Sequence, residues 1–509
     1  MEKSVYIIGS GPAAVSAATA LLARDIPVTM LDVGIELESE KKSLLEQVKT
    51  EWDAHTYAQL KHSISKNRHQ KLSYGSNYPY QHPKNRIDIL QSKNISCTPS
   101  FARGGLSNVW GGYAAQYNEE DLQQWPISKN QLSPYYQLVS KIIYLNRDHQ
   151  CSSQANVLLE SMLKNQTLLR NAGVSFEKAR LAALFHDVEK KNSCLYCGNC
   201  QHGCPKDLIY SAQHTLKKLL NNRKFLYFNN IYVEKIINQE ECVLILATNL
   251  KNKNQPVTFK AQRVFLAAGA ISSTKILLHS MKKFNSAVIL KDSGHIIVPC
   301  LMNESIQNIK NEKLHTLTQL TLRIKNNEVS KKAVHAQIYT YMDHYTAQFK
   351  KIFNISYPLF KPLVNKIINR MLVLQCYFHS NESPSCHVSL LPNGKTLLIN
   401  NHDKYNAAYS QEIKNLITFL KTYKENLHFS PVSFLTKRSK ILGANHYGGT
   451  FPMCNIRNSW QTTDLLGRPL GMDRVHVIDA SIFPTIPAQS ITLTIMANAY
   501  RIASEVKYE

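Results

Sequence analysis

The stretch SVYIIGSGPAAVSAATALLARDIPVTMLD, residues 4 to 32, decides the fold. An apolar run ends at Ile8 and is followed by a glycine turn. An alanine-rich segment then reaches about Arg24, and a second apolar run extends from Val28 to Leu31. This order predicts a strand, a tight turn, a helix and a second strand, which together form one βαβ unit.

The turn in this unit carries a nucleotide-binding pattern. Gly9, Gly11 and Ala14 fit G-x-G-x-x-G/A directly after the strand. The first glycine makes the turn, the second lets a pyrophosphate approach the backbone, and the small third residue packs the helix on the strand. Asp32 follows about 20 residues later, where an acid accepts hydrogen bonds from an adenosine ribose. The unit therefore predicts dinucleotide binding, and the alternative is a plain glycine turn.

Composition excludes a disordered chain but leaves the partner open. The 509 residues are 44% hydrophobic and 19% charged, which is typical of globular proteins. The net charge of +24 favours contact with an anionic surface such as phospholipid, nucleic acid or an acidic redox partner. Because the sequence shows neither a long apolar run nor a signal-peptide pattern at residues 1 to 14, we expect a cytoplasmic protein without a membrane span.

The rest of the chain predicts an α/β fold with a second, mainly antiparallel domain. Val264 to Leu278 indicates another strand, glycine turn and helix, and Val475 to Ile478 indicates a buried strand before a long helix. Period-2 runs between residues 285 and 440 indicate an antiparallel sheet. We therefore expect a discontinuous Rossmann-like nucleotide domain (1–35, 96–140, 205–284 and 441–509), a peripheral segment (36–95), a cysteine-cluster insertion (141–204) and an α+β substrate domain (285–440).

Four cysteines form the strongest local metal signal. Cys194, Cys197, Cys200 and Cys204, followed by Pro205, have the spacing of ferredoxin ligands. This spacing predicts a [4Fe–4S] or [3Fe–4S] cluster, while tetrahedral zinc and metal-free thiols remain alternatives. A total of eleven cysteines, four of them clustered, suits a metal in a reducing compartment better than a disulfide framework.

Several further motifs occur in a fixed order along the chain. They are GGLSNVWGG (104–112), WPIS (125–128), LSPYY (132–136), AQRVFLAAGAISSTKILLHS (261–280), HYGGTFPM (446–453) and VHVIDASIFPT (475–485). Together with the N-terminal unit, this series resembles the glucose–methanol–choline (GMC) family of FAD oxidoreductases. The resemblance covers about residues 1–35, 100–140, 260–280 and 440–505, and it does not cover residues 36–95 or most of residues 285–440.

The resemblance implies that the nucleotide is FAD. It places a set of small and polar residues against the flavin, its ribityl chain and its pyrophosphate: Gly104, Gly105, Ser107, Asn108, Gly269, Asp479 and Ala480. Some members of the family attach the flavin through a histidine just before the tryptophan of the glycine loop. Since Val109 stands at that position here, we expect noncovalent FAD.

The resemblance also assigns the catalytic residues. His446 matches the family's active-site base, which takes the hydroxyl proton as hydride leaves the carbon for flavin N5; an imidazole with a pKa near 6.5 suits that task. Where the family has a partnering Asn or His, this chain has Ser490. A hydroxyl can form hydrogen bonds but is not a base near neutral pH, so we expect catalysis by His446 alone.

These features predict a dehydrogenase that oxidises a CH–OH group of a sugar, polyol or related alcohol. Some sugar dehydrogenases of the family carry a cysteine-ligated cluster, so we expect electrons to pass through an iron–sulfur cluster to an acceptor protein or a quinone. A nucleic-acid partner is not expected. Two alternatives remain: an FAD-containing lyase of the same fold with structural zinc, and a non-enzymatic basic binding protein.

One segment of the expected substrate domain has the pattern of a basic amphipathic helix. KPLVNKIINRMLVL, Lys361 to Leu374, has a helical stripe of apolar residues with Lys361, Lys366 and Arg370 off it. Packing within the domain is the favoured interpretation. The alternative is peripheral contact with an anionic membrane, on its inner face.

Overall fold

The computed structural model describes residues 4–62, 71–83, 89–186, 193–252, 254–401 and 406–508. In these ranges the α-helices are α1 Pro12–Ala23, α2 Ser39–Thr50, α3 Ala54–Lys61, α4 Lys129–Ile142, α5 Ser153–Lys164, α6 Gln166–Asn171, α7 Ala212–Leu219, α8 Ala270–Ser280, α9 Asp343–Phe353, α10 Tyr357–Ile368, α11 Asn406–Thr422, α12 Lys424–Leu427 and α13 Thr492–Glu505.

The strands in these ranges form five sheets. In chain order they are β1 Val5–Ile8, β2 Val28–Leu31, β3 Ile89–Gln91, β4 Leu145–Asn146, β5 Val174–Lys178, β6 Leu181–Ala182, β7 Phe225–Phe228, β8 Ile231–Asn238, β9 Val243–Asn249, β10 Gln255–Ala261, β11 Arg263–Leu266, β12 Val288–Asp292, β13 His295–Met302, β14 Leu320–Ile324, β15 Val334–Tyr339, β16 Met371–Tyr377, β17 Cys386–Leu390, β18 Thr396–Asn400, β19 Phe429–Pro431, β20 Lys437–Arg438, β21 Tyr447–Gly448 and β22 Val475–Val477.

A parallel sheet holds the predicted βαβ unit. Its strand order is β22-β11-β1-β2-β7, and every neighbouring pair is parallel. The carboxyl end of the central strand β1 leads into the glycine turn and α1, as the sequence predicts. α1 packs against α13, where Ser16 Oγ donates a hydrogen bond to the Met496 carbonyl at 2.7 Å. The predicted α/β class is confirmed.

An antiparallel sheet faces the carboxyl edge of the parallel one across a cavity. Its order is β19-β13-β16-β15-β14-β5, and β20 also pairs with β13. On β15, Val334, Ala336 and Ile338 are buried in an apolar cluster with residues of α5 and α11, so these helices cover one face of the sheet. Because side chains alternate along a strand, His335, Gln337 and Tyr339 lie on the other face.

Three further sheets, of five, three and two strands, are present in the described residues. They have the orders β21-β12-β17-β18-β3, β10-β9-β8 and β4-β6. β3 lies within the predicted peripheral segment and pairs with β18, while β5 precedes the cysteine cluster and forms an edge of the antiparallel sheet. Segments distant along the chain therefore share sheets.

The helix predicted for Lys361 to Leu374 is wrong at its C-terminal end. α10 ends at Ile368, and β16 begins at Met371. β16 buries Leu372 and Leu374 and pairs with β13 on one side and β15 on the other. Two ladders of backbone hydrogen bonds and the alternating burial favour the strand over a continued helix.

Candidate active site

A cavity of about 540 Å³ lies between the parallel sheet that contains β1 and the antiparallel sheet that contains β15. One side is formed by the turn between β1 and α1, the loop around residues 100–113 and the starts of α8 and α13. The opposite side is formed by residues of β13, β15 and β16. The cavity thus lies at the carboxyl ends of parallel strands, where open α/β sheets bind their ligands.

Most of the predicted nucleotide-site and active-site residues line this cavity. They are Gly9, Gly11, Asp32, Gly105, Ser107, Gly269, His446, Asp479, Ala480 and Ser490. Val109, the position at which some family members carry a histidine, lines it as well.

The glycine turns leave open space where a dinucleotide would bind. Gly9 has φ +100°, and a Cβ there would lie 2.5 Å from the Ala267 carbonyl oxygen, so a side chain is excluded. At Gly11 and Gly269, by contrast, a Cβ would meet no atom within 4 Å. Both positions therefore present bare backbone to the cavity, and this cradle fits the pyrophosphate of FAD.

Asp32 is buried at the nucleotide end of the cavity. Its Oδ2 accepts hydrogen bonds from Ser10 Oγ and from Tyr227 Oη, the latter at 3.0 Å. Burial raises the pKa of Asp32 to about 6, although both hydrogen bonds favour the ionised form. Near neutral pH the carboxylate is ionised and suited to accept hydrogen bonds from ribose hydroxyls.

Asp479 fixes the second glycine turn. Its Oδ2 accepts a hydrogen bond from Gly269 N at 2.9 Å, and its Oδ1 accepts one from Ser481 N at 2.9 Å. Ser273 Oγ also donates to the same carboxylate. The side chain therefore ties the end of β22 to the start of α8 and holds the backbone of Gly269 toward the cavity.

Three predicted residues lie behind the wall and shape it. Ala14 is fully buried in α1. Gly104 has φ +83°, and its N–H donates to Ser10 Oγ at 2.9 Å. Asn108 Nδ2 donates to the Arg103 and Gly105 carbonyls at 2.9 and 2.7 Å. These contacts fix the conformation of the glycine loop.

His446 lies in the loop before β21 and lines the cavity. Its carbonyl accepts a hydrogen bond from Ser293 N at 2.9 Å, and its ring stacks on Tyr377 with the ring centroids 4.8 Å apart. Burial lowers the pKa of His446 to about 4, and its Nδ1 is buried without a hydrogen-bond partner. The imidazole is therefore neutral at pH 7 and able to accept a proton.

Ser490 lines the same cavity as His446, with its hydroxyl proton engaged by a backbone carbonyl. Its Oγ donates a hydrogen bond to the Tyr113 carbonyl at 2.9 Å, and the residue is buried. Because that bond uses the only hydroxyl proton, Ser490 serves to hold the Tyr113 backbone at the cavity wall.

Sequence reasoning missed the polar wall opposite the nucleotide side. In the strand register, Gln337 is opposite Gln375, and His295 and His335 flank Tyr377. All of these except His335 line the cavity. The signal that could have found them is a polar residue at every second position of a buried strand, as in HAQIY (335–339) and QCY (375–377).

Hydrogen bonds among these residues set the chemistry of the wall. Gln337 Oε1 accepts from Thr318 Oγ1 and from Tyr339 Oη, each at 3.1 Å. Gln375 Oε1 accepts from Tyr377 Oη at 3.2 Å. With its oxygen engaged twice, Gln337 has its amide N–H groups to offer a ligand.

Two further imidazoles stand beside His446. Burial, together with the proximity of His446, lowers the pKa of His295 and of His335 to about 3. His335 stacks on Tyr113 with the ring centroids 5.2 Å apart. All three rings are therefore neutral near pH 7.

The predicted metal site is not supported by the arrangement of the cysteines. All four lie in the range 193–252, yet the described residues contain no group of three or more His, Cys, Asp or Glu side chains arranged to hold a metal ion. The loop is instead held by hydrogen bonds from Gly198 N to the Leu314 carbonyl at 2.9 Å, and from Tyr57 Oη to the Gly203 carbonyl at 2.8 Å. Gln201 of this loop reaches the cavity wall.

Comparison with known families gives two matches. A model described as GMC oxidoreductase matches residues 91–286, and a second model with the same description matches residues 413–499. The first match includes the glycine loop and Gly269, and the second includes His446 and Ser490. Together they cover more than half of the 509 residues. No curated protein matches the chain.

Proposed function

Since the chain belongs to the GMC oxidoreductase family and is a flavin-dependent oxidoreductase, we propose that it oxidises a CH–OH group of a sugar, polyol or related polar alcohol. The family assignment speaks against the alternative of a non-enzymatic binding protein. The observation that carries the substrate proposal is the polar wall that faces the flavin side of the cavity.

The residues that would hold FAD lie on the nucleotide side of the cavity. The pyrophosphate would bind at the turn that contains Gly9 and Gly11 and at the backbone of Gly269. The Asp32 carboxylate would accept hydrogen bonds from the ribose hydroxyls. Val109 offers no nucleophilic side chain to the flavin, which supports noncovalent binding. When bound, FAD supplies the hydride acceptor for substrate oxidation.

His446 would act as the base. Its neutral imidazole accepts the substrate hydroxyl proton as the C–H bond delivers its hydride, so that the alcohol becomes a carbonyl compound. His295 and His335 add no positive charge beside it, because burial keeps both neutral. The positive charge that forms on His446 is therefore not repelled by its neighbours.

The polar wall favours a substrate with several oxygens. Gln337, Gln375 and Tyr377 line the cavity, and an alkyl chain would offer no acceptor to the amide N–H groups of Gln337. Leaving a buried polar group unpaired costs about 1–3 kcal/mol. A site of this kind therefore discriminates strongly against an analogue that lacks the matching hydroxyls.

The route by which electrons leave the enzyme is a separate part of the proposal. An acceptor protein or a quinone would receive them. The spacing of Cys194, Cys197, Cys200 and Cys204 supports an iron–sulfur relay, while the arrangement of the thiols does not, so no step is assigned to a cluster. Iron and acid-labile sulfide in anaerobically purified protein would support the relay, and the absence of both would remove it from the proposal.

An anaerobic substrate titration of the FAD-loaded enzyme tests the proposal. We expect a sugar or polyol to bleach the flavin absorbance band, and an unsubstituted alkanol of similar size to leave it unchanged. Gln337→Leu should reduce this preference by roughly tenfold or more, because the amide donors are lost. Bleaching by alkanols alone, or by none of the alcohols, would contradict the proposed substrate class.

A further inference from the structure

The α9–α10 hairpin exposes large apolar side chains to solvent. Leu359 is 83% exposed, Leu363 is 53% exposed and Phe360 is 42% exposed, all on α10. The opposite face of the same helix is used internally, because Val364 and Ile368 are fully buried. α10 therefore carries a second apolar face, beyond the one that packs it onto the protein.

Basic residues surround this exposed face. Residues 344 to 370 contain four lysines and one arginine and no acidic residue. Partial burial and the positive charges of Lys361 and Lys350 lower the pKa of Lys310. Lys310 Nζ also donates a hydrogen bond to Asn365 Oδ1 of α10. The apolar face thus lies within a region of positive charge.

The combination of apolar and basic side chains indicates which kind of partner binds the exposed face of α10. A second copy of the chain in a two-fold contact would bring the same lysines against one another. A bilayer that contains anionic phospholipid accepts both features, since acyl chains receive the leucines and headgroup phosphates receive the lysines. In the part of the chain that the structure describes, no helix has the length and hydropathy to span a bilayer.

We propose that the α9–α10 hairpin docks the protein on the surface of an anionic phospholipid bilayer, with Leu359, Phe360 and Leu363 entering the interface. The hairpin lies close to the active site, because Val364 and Ile368 share an apolar cluster with Tyr339, which lines the cavity. Tyr339 thus connects the apolar cluster beneath α10 to the cavity wall.

Sedimentation with vesicles tests the proposal on the FAD-loaded enzyme. We expect binding to vesicles of equal parts phosphatidylglycerol and phosphatidylcholine, little binding to phosphatidylcholine alone, and weaker binding at high salt. The double variants Leu359→Gln/Leu363→Gln and Lys361→Glu/Lys366→Glu should each lose roughly tenfold or more in vesicle affinity.

Matched variants elsewhere on the surface provide the controls. Ile456→Gln changes an apolar side chain that is 75% exposed outside the hairpin. Lys251→Glu/Lys260→Glu makes the same change in net charge on two exposed lysines outside the hairpin, one in the turn after β9 and one in β10. Both controls should bind vesicles as wild type does, and flavin content reports folding. If Leu359→Gln/Leu363→Gln loses flavin, the vesicle affinity of Lys361→Glu/Lys366→Glu tests the proposal in its place.

Three results would overturn the proposal. They are equal binding to both kinds of vesicle, wild-type affinity in the hairpin variants, and a dimer in solution that Leu359→Gln/Leu363→Gln dissolves while no vesicle binding is seen. The last result would assign the surface to a second copy of the chain.

Discussion

Burial keeps the imidazole of His446, the proposed base, in its neutral form, and its ring stacks on Tyr377. His446→Ala should retain FAD and reduce the rate of flavin reduction by substrate by roughly two to four orders of magnitude, the usual contribution of a positioned base. Anaerobic stopped-flow absorbance measures this rate directly. Ser490→Ala is the matched comparison, because that hydroxyl is engaged with the Tyr113 carbonyl. An equal loss in both variants would make Ser490 a second catalytic residue.

The burial of the His446 imidazole also predicts that kcat/KM falls only at an unusually low pH. Because burial lowers the pKa of His446 from 6.5 to about 4, its proton-accepting form persists as the pH falls through the ordinary histidine range. We expect kcat/KM for the polar alcohol to stay level between pH 7 and pH 5 and to fall near pH 4. Flavin content, measured at each pH, separates this effect from loss of FAD. An acid limb near pH 6.5 would show that the ring is solvated.

The burial of Asp32 predicts that its replacement stabilises the flavin-free protein but weakens FAD binding. Burial raises the pKa of this carboxyl from 3.8 to about 6, so its ionised form destabilises the flavin-free fold increasingly as the pH rises through that interval. Asp32→Asn should therefore raise the Tm of flavin-free protein at pH 7. It should also weaken FAD binding by roughly tenfold to a hundredfold, since a charge-assisted hydrogen bond is lost. Calorimetry and flavin fluorescence measure the two effects, and an unchanged FAD affinity would exclude Asp32 from the ribose site.

Among the elements, those with one clear period were predictable from sequence. β1, α1 and β2 follow directly from a short apolar run, a glycine turn and a helix. The structure of the segment Lys361 to Leu374 could not be predicted in this way, because its apolar residues fit both a helical and an alternating pattern. Pairing of β16 with strands from distant parts of the chain decides between them, and a local pattern contains no information on that pairing.

The limits of a local sequence pattern also explain which site residues could be predicted from the sequence. Gly9, Asp32 and His446 lie in loops whose local sequence has a recognisable form, and the structure brings them to one cavity. Gln337 and Gln375 lie in strands, where alternation shows that two faces differ but not which face meets the cavity. That face is set by the helices that cover the other side of the antiparallel sheet.

The cysteine loop is an element whose contacts predict tolerance to substitution. Backbone hydrogen bonds and the hydroxyls of Tyr57 and Tyr74 hold it, the latter through the Cys204 carbonyl at 2.9 Å. Cys197→Ser and Cys200→Ser should therefore stay folded and flavin-loaded, with Tm and flavin content close to wild type. A structural zinc site would make the same variants unfold, because its binding free energy is largely folding free energy. Insoluble or colourless variants would favour zinc.

For the whole molecule, FAD should act as a stabilising ligand that connects separate parts of the chain. The cavity takes residues from the first turn, the glycine loop, the antiparallel sheet and α13. Removing FAD should lower Tm, and adding it back should restore Tm in proportion to the logarithm of its concentration. Differential scanning calorimetry at several FAD concentrations measures this dependence. A Tm independent of FAD would show that the nucleotide side folds without its ligand.

The packing of α1 against α13 also has a consequence for biosynthesis. Ser16 and Met496, joined by a hydrogen bond between these helices, are 480 residues apart. On the ribosome, the face of α1 that packs on α13 stays uncovered until α13 has been translated. Because α13 also lines the flavin cavity, we expect FAD to bind only after α13 has been synthesised. Early in translation, that uncovered face is a natural target for chaperones that shield apolar segments.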